Sequence, residues 1–357
     1  MNPPVQWHRL GRVEYPDGLE LQRQFQEALR ASEVPDTLLL LEHPPVLTLG
    51  RGAKANNILT PKPQLDALGV EVFETDRGGD VTYHGPGQIV GYPLLHLGPG
   101  RQDVRKYVRA IEELMIRTVA DWGITATRIE QWPGVWVAKS RRGGPRKIAA
   151  LGVHLSRWYT KHGFALNVRT DLSHFELIVP CGIKEAGVTS MGVELERDVP
   201  VAEVEDCIVH HFREVFECEV TAAEEPRRTV SVVVTREDGR VLLLERTSAR
   251  GGFWQPVTGR VEAGESPMQA AQRELFEETG LEGVVVPLGY EHAFPFEKAH
   301  PPAVFRETAF SAKATGEVRI DPREHSTCGW FTREEAIAKV PHVGLAKAIG
   351  LVRPTTA

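Results

Sequence analysis

The sequence predicts a mixed α+β chain built from two domains, and three observations carry that reading. At 357 residues the chain is longer than one hydrophobic core normally organises. Apolar strand-like runs and helical stripes alternate through the first 220 residues without βαβ regularity. In the last third, two β-branched runs lead through a glycine-bearing loop into one short acidic helix. The expected division is residues 1–220, a linker over 221–228 and a second domain over 229–357. The linker, Thr221 to Arg228 (T-A-A-E-E-P-R-R), is short, polar and proline-bearing.

Taken in order, Leu19 to Leu29 reads as a helix and Thr37 to Leu41 as an apolar strand. Glu42-His43-Pro44-Pro45 breaks that strand, and Val46 to Leu49 resumes it. Arg77 to Gln88 follows, with four glycines between Gly78 and Gly87 that let backbone approach a ligand closely. Val104, Tyr107, Val108, Ile111, Leu114, Met115 and Val119 recur at helical spacing, with Gly123 where a helix stops; this stripe is core. Strand-like Val135 to Ala138 leads into a basic turn, Lys139 to Lys147, and then the apolar run Ile148 to Leu155. His162 to Val168 and Pro180-Cys181-Gly182 come next, then an amphipathic segment carrying Val204, Ile208, Phe212 and Val215.

In the second domain, Thr229 to Val234 and Arg240 to Leu244 are joined by Asp238-Gly239, a hairpin signal. Beyond them, residues Gly259 to Leu281 place Glu274, Glu277 and Glu278 on one face of a helix. Positions i, i+3 and i+4 lie about 5–6 Å apart there. Three converging carboxylates suit a hard divalent cation, Mg²⁺ or Mn²⁺.

The composition, 41% hydrophobic and 25% charged with net charge −6, is that of a globular chain and implies no broad attraction to nucleic acid. No apolar run approaches the ~18 residues of a membrane span. The start Met1-Asn2-Pro3-Pro4 has no basic or apolar signal region, so a cytoplasmic protein is expected. Cys181, Cys207, Cys218 and Cys328 show no CxxC spacing, which argues against a zinc site or disulfide framework. Cys207 falls in the amphipathic segment and is expected in the core. Cys181, between proline and glycine, is the candidate nucleophile, which needs a nearby positive charge or base to form thiolate.

The run G-x5-E-x7-R-E-L-F-E-E-T-G-L from Gly259 resembles the Nudix box at every defined position. That resemblance implies an α/β/α Nudix sandwich hydrolysing a diphosphate-linked substrate, with Glu274, Glu277 and Glu278 as metal ligands and the Gly259 carbonyl and Glu324 as further candidates. Arg273 and Glu265 are expected to brace the loop against the helix. Phe253 to Gly259 looks similar to dihydroneopterin triphosphate pyrophosphatases, and a nucleoside triphosphate fits nearly as well; the partner is a phosphorylated small molecule of either kind.

Residues 5 to 220 resemble the lipoyl(octanoyl) transferases through several separate motifs. These are L-E-H-P-P-V at Leu41, R-G-G-D-V-T-Y-H-G-P-G-Q at Arg77, K-I-A-A-L-G-V at Lys147, H-G-F-A-L-N-V at His162, P-C-G-I at Pro180 and T-S-M at Thr189. The resemblance implies an α+β biotin/lipoate-ligase-like fold and a Cys181–Lys147 dyad. Cys181 would take octanoyl from octanoyl-acyl-carrier protein and pass it to a lysine of the lipoyl domains of 2-oxoacid dehydrogenases or the glycine-cleavage H protein, with no cofactor. The acyl pocket maps to Arg77, Gly78, Gly79, Asp80, Val81, Thr82, Tyr83 and His84, to Ala150, Leu151 and Gly152, and to Gly163, Phe164 and Ala165. His154 departs from the family's arginine. The basic turn can attract an acidic carrier protein. An ATP-dependent lipoate or octanoate ligase, or a non-catalytic lipoyl-binding module, is the alternative for this domain.

Overall fold

A computed structural model of the chain describes residues 2–179, 187–296, 299 and 301–352. Two compact units divide between Glu225 and Pro226. In chain order the first contains β1 (Val5–Arg12), α1 (Tyr15–Arg30), β2 (Asp36–Glu42), β3 (Val46–Leu49), α2 (Lys62–Ala67), β4 (Glu71–Glu74), β5 (Val81–His84), β6 (Gln88–Leu94), α3 (Val104–Ala120), β7 (Thr127–Ile129), β8 (Trp132–Val137), β9 (Arg146–Ser156), β10 (Tyr159–Asn167), β11 (Gly187–Val188), α4 (Met191–Leu195), α5 (Val201–Val215) and β12 (Val220–Ala222).

Its main sheet runs β12-β1-β2-β6-β10-β9-β8-β7, with β11 beside β9. The run Leu38 to Leu41 of β2 is buried on both faces, as a near-continuous apolar strand requires. On one face lie α3 and α5, which bring Leu114, Met115 and Val119, and Val204, Ile208 and Phe212, into one core with Leu38, Leu40 and Ile89. Asp103 caps α3 by accepting from the Arg105 and Lys106 amides. A small sheet, β4-β3-β5, packs Leu47, Val81 and Tyr83 onto Phe175 and Ile178. Two expectations shift. Lys147 sits inside β9 rather than ending a turn. The tether between units is shorter than 221–228, because Thr221 and Ala222 pair with β1 in parallel and Arg227 opens the next strand.

The second unit contains β13 (Arg227–Thr235), β14 (Val241–Arg246), β15 (Trp254–Gln255), β16 (Val257–Arg260), α6 (Pro267–Thr279), β17 (Gly283–Pro295), β18 (Val304–Ala314), β19 (His325–Phe331), α7 (Arg333–Lys339) and α8 (Val343–Leu351). The sheet order is β15-β14-β13-β18-β17, with β16 on β13 and β19 on β14. Alternation along β13 sends Val230, Val232 and Val234 to the face covered by α6 and Val233 to the face covered by α7 and α8, which makes an α/β/α sandwich. Ser266 and Gln269 form a capping box at the start of α6, Pro267 occupies its first turn, and Gly280 ends it in the left-handed region. Among the described residues no helix is long and apolar enough to cross a membrane.

An added Cβ on Gly91 of β6 would lie 2.1 Å from the Phe164 ring of β10. Gly91→Ala should therefore destabilise that unit by about 1–3 kcal/mol through overpacking, read as a lower urea midpoint of the full chain by tryptophan fluorescence. Gly98→Ala, where the backbone is not left-handed and the nearest atom to the added Cβ is His96 Cε1 at 3.9 Å, makes the comparison.

Candidate active sites

Register places the first site. β9 and β10 form an antiparallel hairpin, with Ala150 opposite Ala165, Leu151 opposite Phe164 and Gly152 opposite Gly163, so the two tripeptides become cross-strand neighbours. Together with Arg77, Gly79, Asp80, Val81, Thr82 and His84 they line one cavity. Gly78 and Tyr83, expected with them, do not line it. The Gly78 amide is spent on the Val153 carbonyl at 2.9 Å, and Tyr83 stacks on His174 in the small core beneath β5. Tyr15, Val90, Tyr92 and His162 line the cavity without having been anticipated. His162 heads a run noticed in the sequence, whereas Tyr15 carried no local signal.

The polar groups of this cavity are held from behind. Arg77 is buried and donates from Nε to Thr48 Oγ1 at 3.1 Å and from Nη2 to the Thr48 carbonyl at 2.5 Å. Gln88 Nε2 donates to Asn167 Oδ1 at 2.9 Å, and Asn167 Nδ2 donates to the Thr189 carbonyl at 3.0 Å. Gln88 Oε1 is therefore an acceptor for His84 Nδ1–H at 2.8 Å, which fixes the tautomer and leaves the His84 Nε2 lone pair towards Thr48 Oγ1 at 3.5 Å. Burial, with His43 and Arg77 nearby, pushes His84 down to about 3, so it is neutral at pH 7.

Asp76 gathers a second group: His162 Nε2 at 2.7 Å, Lys161 Nζ at 3.1 Å and His154 Nδ1 at 3.8 Å. The His162 hydrogen bond, then Lys161, holds its carboxyl well below the usual range. His162 is buried with φ of 58°, a left-handed backbone that a non-glycine residue adopts at a cost.

Lys147 is 6% exposed, and its Nζ lies 4.9 Å from the Trp136 ring centroid. Its carbonyl accepts from the Thr189 amide at 2.9 Å, and β11 pairs Val188 with it. The polar chain from His84 thus ends on the strand that carries Lys147. Cys181 lies outside the described residues. In the basic turn, Arg141 is engaged with the Glu194 carbonyl at 2.7 Å and Glu196 at 2.8 Å.

The second site sits where the β16 loop meets α6. An added Cβ on Gly259 would fall 1.8 Å from the Glu274 carboxyl carbon, so glycine is what lets the loop close on that acid. Arg273 grips Glu265 with two bonds of 3.0 Å and the Arg260 carbonyl at 2.8 Å, tying loop to helix, and also reaches Glu274 at 2.7 Å and Glu277 at 2.9 Å. Glu278 accepts from the Thr258 amide at 3.1 Å, and burial pushes its carboxyl up to about 8. Oxygen ligands of Glu278 and Glu324 and a ring nitrogen of His325 lie within 4.8 Å of one another. Glu324, which Arg250 holds at 2.8 Å, is thereby brought to α6 from a distant loop. His325 was not anticipated; it is 1% exposed and neither ring nitrogen has a hydrogen-bond partner among the described residues. Desolvation raises both the half-buried Glu274 and the buried Glu278, so each resists ionisation until a cation stands beside it, which fits a divalent ion that binds as their protons leave.

Comparison with known proteins gives a family for each of the two regions. Residues 14–213 match the lipoyl protein ligase A/B catalytic domain and residues 225–348 the NUDIX domain. The chain is 54% identical to the octanoyltransferase of Myxococcus xanthus over 347 residues, covering 96% of this chain and 97% of the relative. It is 50% identical to the octanoyltransferase of Solibacter usitatus over 215 residues, 59% of this chain and 93% of the relative. A lipoate protein ligase structure from Thermoplasma acidophilum superposes with a TM-score of 0.48 at 17% identity, over 62% of this chain and 88% of its own. The breadth of the Myxococcus match, which spans both units, assigns this chain to the octanoyltransferase family, in a form that carries a C-terminal NUDIX domain.

Proposed function

We propose that the first unit transfers an octanoyl group from octanoyl-acyl-carrier protein to a lysine of a lipoyl domain, through a thioester on Cys181. The observation that carries this reading is the full-length octanoyltransferase relative, combined with a buried lysine joined by hydrogen bonds to the cavity wall. In the first step Cys181 Sγ attacks the thioester carbonyl carbon, a new C–S bond forms, and the carrier thiolate leaves and takes a proton from Lys147. In the second step the acceptor amine attacks the same carbon, C–N forms, C–S breaks, and Lys147 recovers the proton as Cys181 leaves as thiolate. The apolar walls at Ala150, Leu151, Phe164 and Ala165 suit an alkyl chain, and Arg77, His84 and Asp80 set the polar end of the cavity.

In the second unit, we infer hydrolysis of a diphosphate-linked small molecule with Mg²⁺ or Mn²⁺ held by Glu274, Glu277 and Glu278, assisted by Glu324. The bound metal would polarise phosphoryl oxygens and activate water. Arg273 holds the loop carrying Gly259 against α6, and the Thr258 amide orients Glu278.

Brief incubation with octanoyl-acyl-carrier protein should add one octanoyl unit to the intact mass of the wild type and none to Cys181→Ala; an equal adduct on both, or none on either, removes the acyl-enzyme. Lys147→Met should move the pH profile of Cys181 alkylation to higher pH, towards the free-thiol pKa of about 8.5, because a positive charge beside a thiol favours its thiolate. An unchanged profile would separate Lys147 from the thiol. Glu277→Gln should lower metal-dependent pyrophosphohydrolysis by about two orders of magnitude or more, the rate equivalent of the several kcal/mol a metal supplies. Octanoyl transfer by the same variant serves as the folding control.

A further inference from the structure

Away from both sites, three potential metal-binding side chains converge where α5 crosses the end of α3. Cys207 and His211 stand one turn apart on α5, and Asp121 is the residue that terminates α3. Asp121 Oδ2 lies 2.8 Å from His211 Nε2 and 3.2 Å from Cys207 Sγ, and all three candidate ligand atoms fall within 4.8 Å of one another. The Thr118 carbonyl faces the same sulfur at 3.8 Å. Cys207, expected in the core, is only half-buried and turns to this groove instead.

We propose that Cys207, His211 and Asp121 form a binding site for a zinc-class transition-metal cation that clips α5 to the C-terminal end of α3. Four features support it. Sulfur and imidazole select a borderline-soft ion over Mg²⁺. A tetrahedral shell with bonds of about 2.0–2.3 Å separates its ligands by roughly 3.3–3.8 Å, so the present spacing needs to open by only a few tenths of an ångström. A carboxylate at a helix C-terminus is placed against the negative end of the dipole, which calls for a cation beside it. Finally, Glu214 Oε2 accepts from His211 Nδ1 at 3.3 Å, so Nε2 can exchange its hydrogen bond to Asp121 Oδ2 for the ion while Nδ1 stays held from behind, as carboxylates behind metal-bound histidines do. The fourth position opens to solvent beside Asp121, whose side chain is 52% exposed.

Charged groups of both helices surround the cluster. Arg117 of α3 pairs with Glu113 at 2.9 Å and reaches Glu214 at 3.5 Å, and the exposed His210 lies 3.7 Å from the other Glu214 oxygen. None of these cations is paired with Asp121 in the groove. Without a metal the Cys207 thiol donates to Asp121 Oδ2 at 3.2 Å, so binding must release that proton: the S–H bond is lost as the S–metal bond forms.

The test is Co²⁺ titration of the full-length protein, followed by the near-ultraviolet charge-transfer band of thiolate-bound cobalt, which the all-oxygen site on α6 cannot produce. Wild type should show the band with release of protons on binding, and its affinity should rise with pH between pH 7 and 8. Cys207→Ser should abolish the band, and Glu214→Gln should retain it with about tenfold weaker affinity. No band in folded wild type, or the same band in Cys207→Ser, overturns the site and leaves a hydrogen-bonded helix contact only. If Cys207→Ser fails to fold, His211→Gln decides instead, with an unaltered band again overturning the site.

Discussion

The buried hydrogen-bond chain from His84 through Gln88 and Asn167 to the Thr189 carbonyl is the constraint on which the first site depends. Each amide in it donates in one direction only, so one orientation of Asn167 sets Gln88, which sets the His84 tautomer. Its members come from the end of β5, the start of β6, the end of β10 and the segment before α4, elements that the sheet order alone would leave free to shift against one another. A buried amide left half-satisfied costs about 1–3 kcal/mol, so the glycine-rich loop, the β10 wall and the Lys147 strand hold a common register or lose several such bonds together.

The carboxylates at the two sites are handled in opposite ways. Asp76, partly exposed, is held by His162 and Lys161 with His154 nearby, so its partners come from the protein itself. Glu278 receives one backbone amide and faces Glu274 and Glu324, with Arg246 a nearby cation that favours its charged form, and burial still raises its carboxyl. The first arrangement fits an acyl site whose substrate brings no charge to its alkyl end. The second fits a site for a phosphorylated substrate that arrives with cations.

Much of this was legible in the sequence because the informative patterns are local. The α6 carboxylates, its capping Ser266 and its terminal Gly280 lie within one continuous run, and α3 and α5 follow from apolar periodicity. The two pocket tripeptides were nameable from their resemblance, but their being opposite each other is a property of β9–β10 register that no local pattern contains. Tyr15, Tyr92 and His325 escaped because each reaches its site by long-range pairing, and Gly78 and Tyr83 face away from this cavity because strand alternation and a turn direct them to the far side of the loop. Cys207 shows the same limit, since helical periodicity marks a face but not which neighbouring helix supplies Asp121.

The stacking of Lys147 over Trp136 has an optical consequence. Trp136 is 1% exposed, and its indole N–H is committed to the Trp132 carbonyl at 2.9 Å, so neither solvent relaxation nor ring rotation blurs its surroundings. A charge fixed 4.9 Å from that ring imposes a local electric field on its excited state. Replacing that lysine therefore changes the field at one indole, so the emission of Trp136 reports whether the ammonium group is in place.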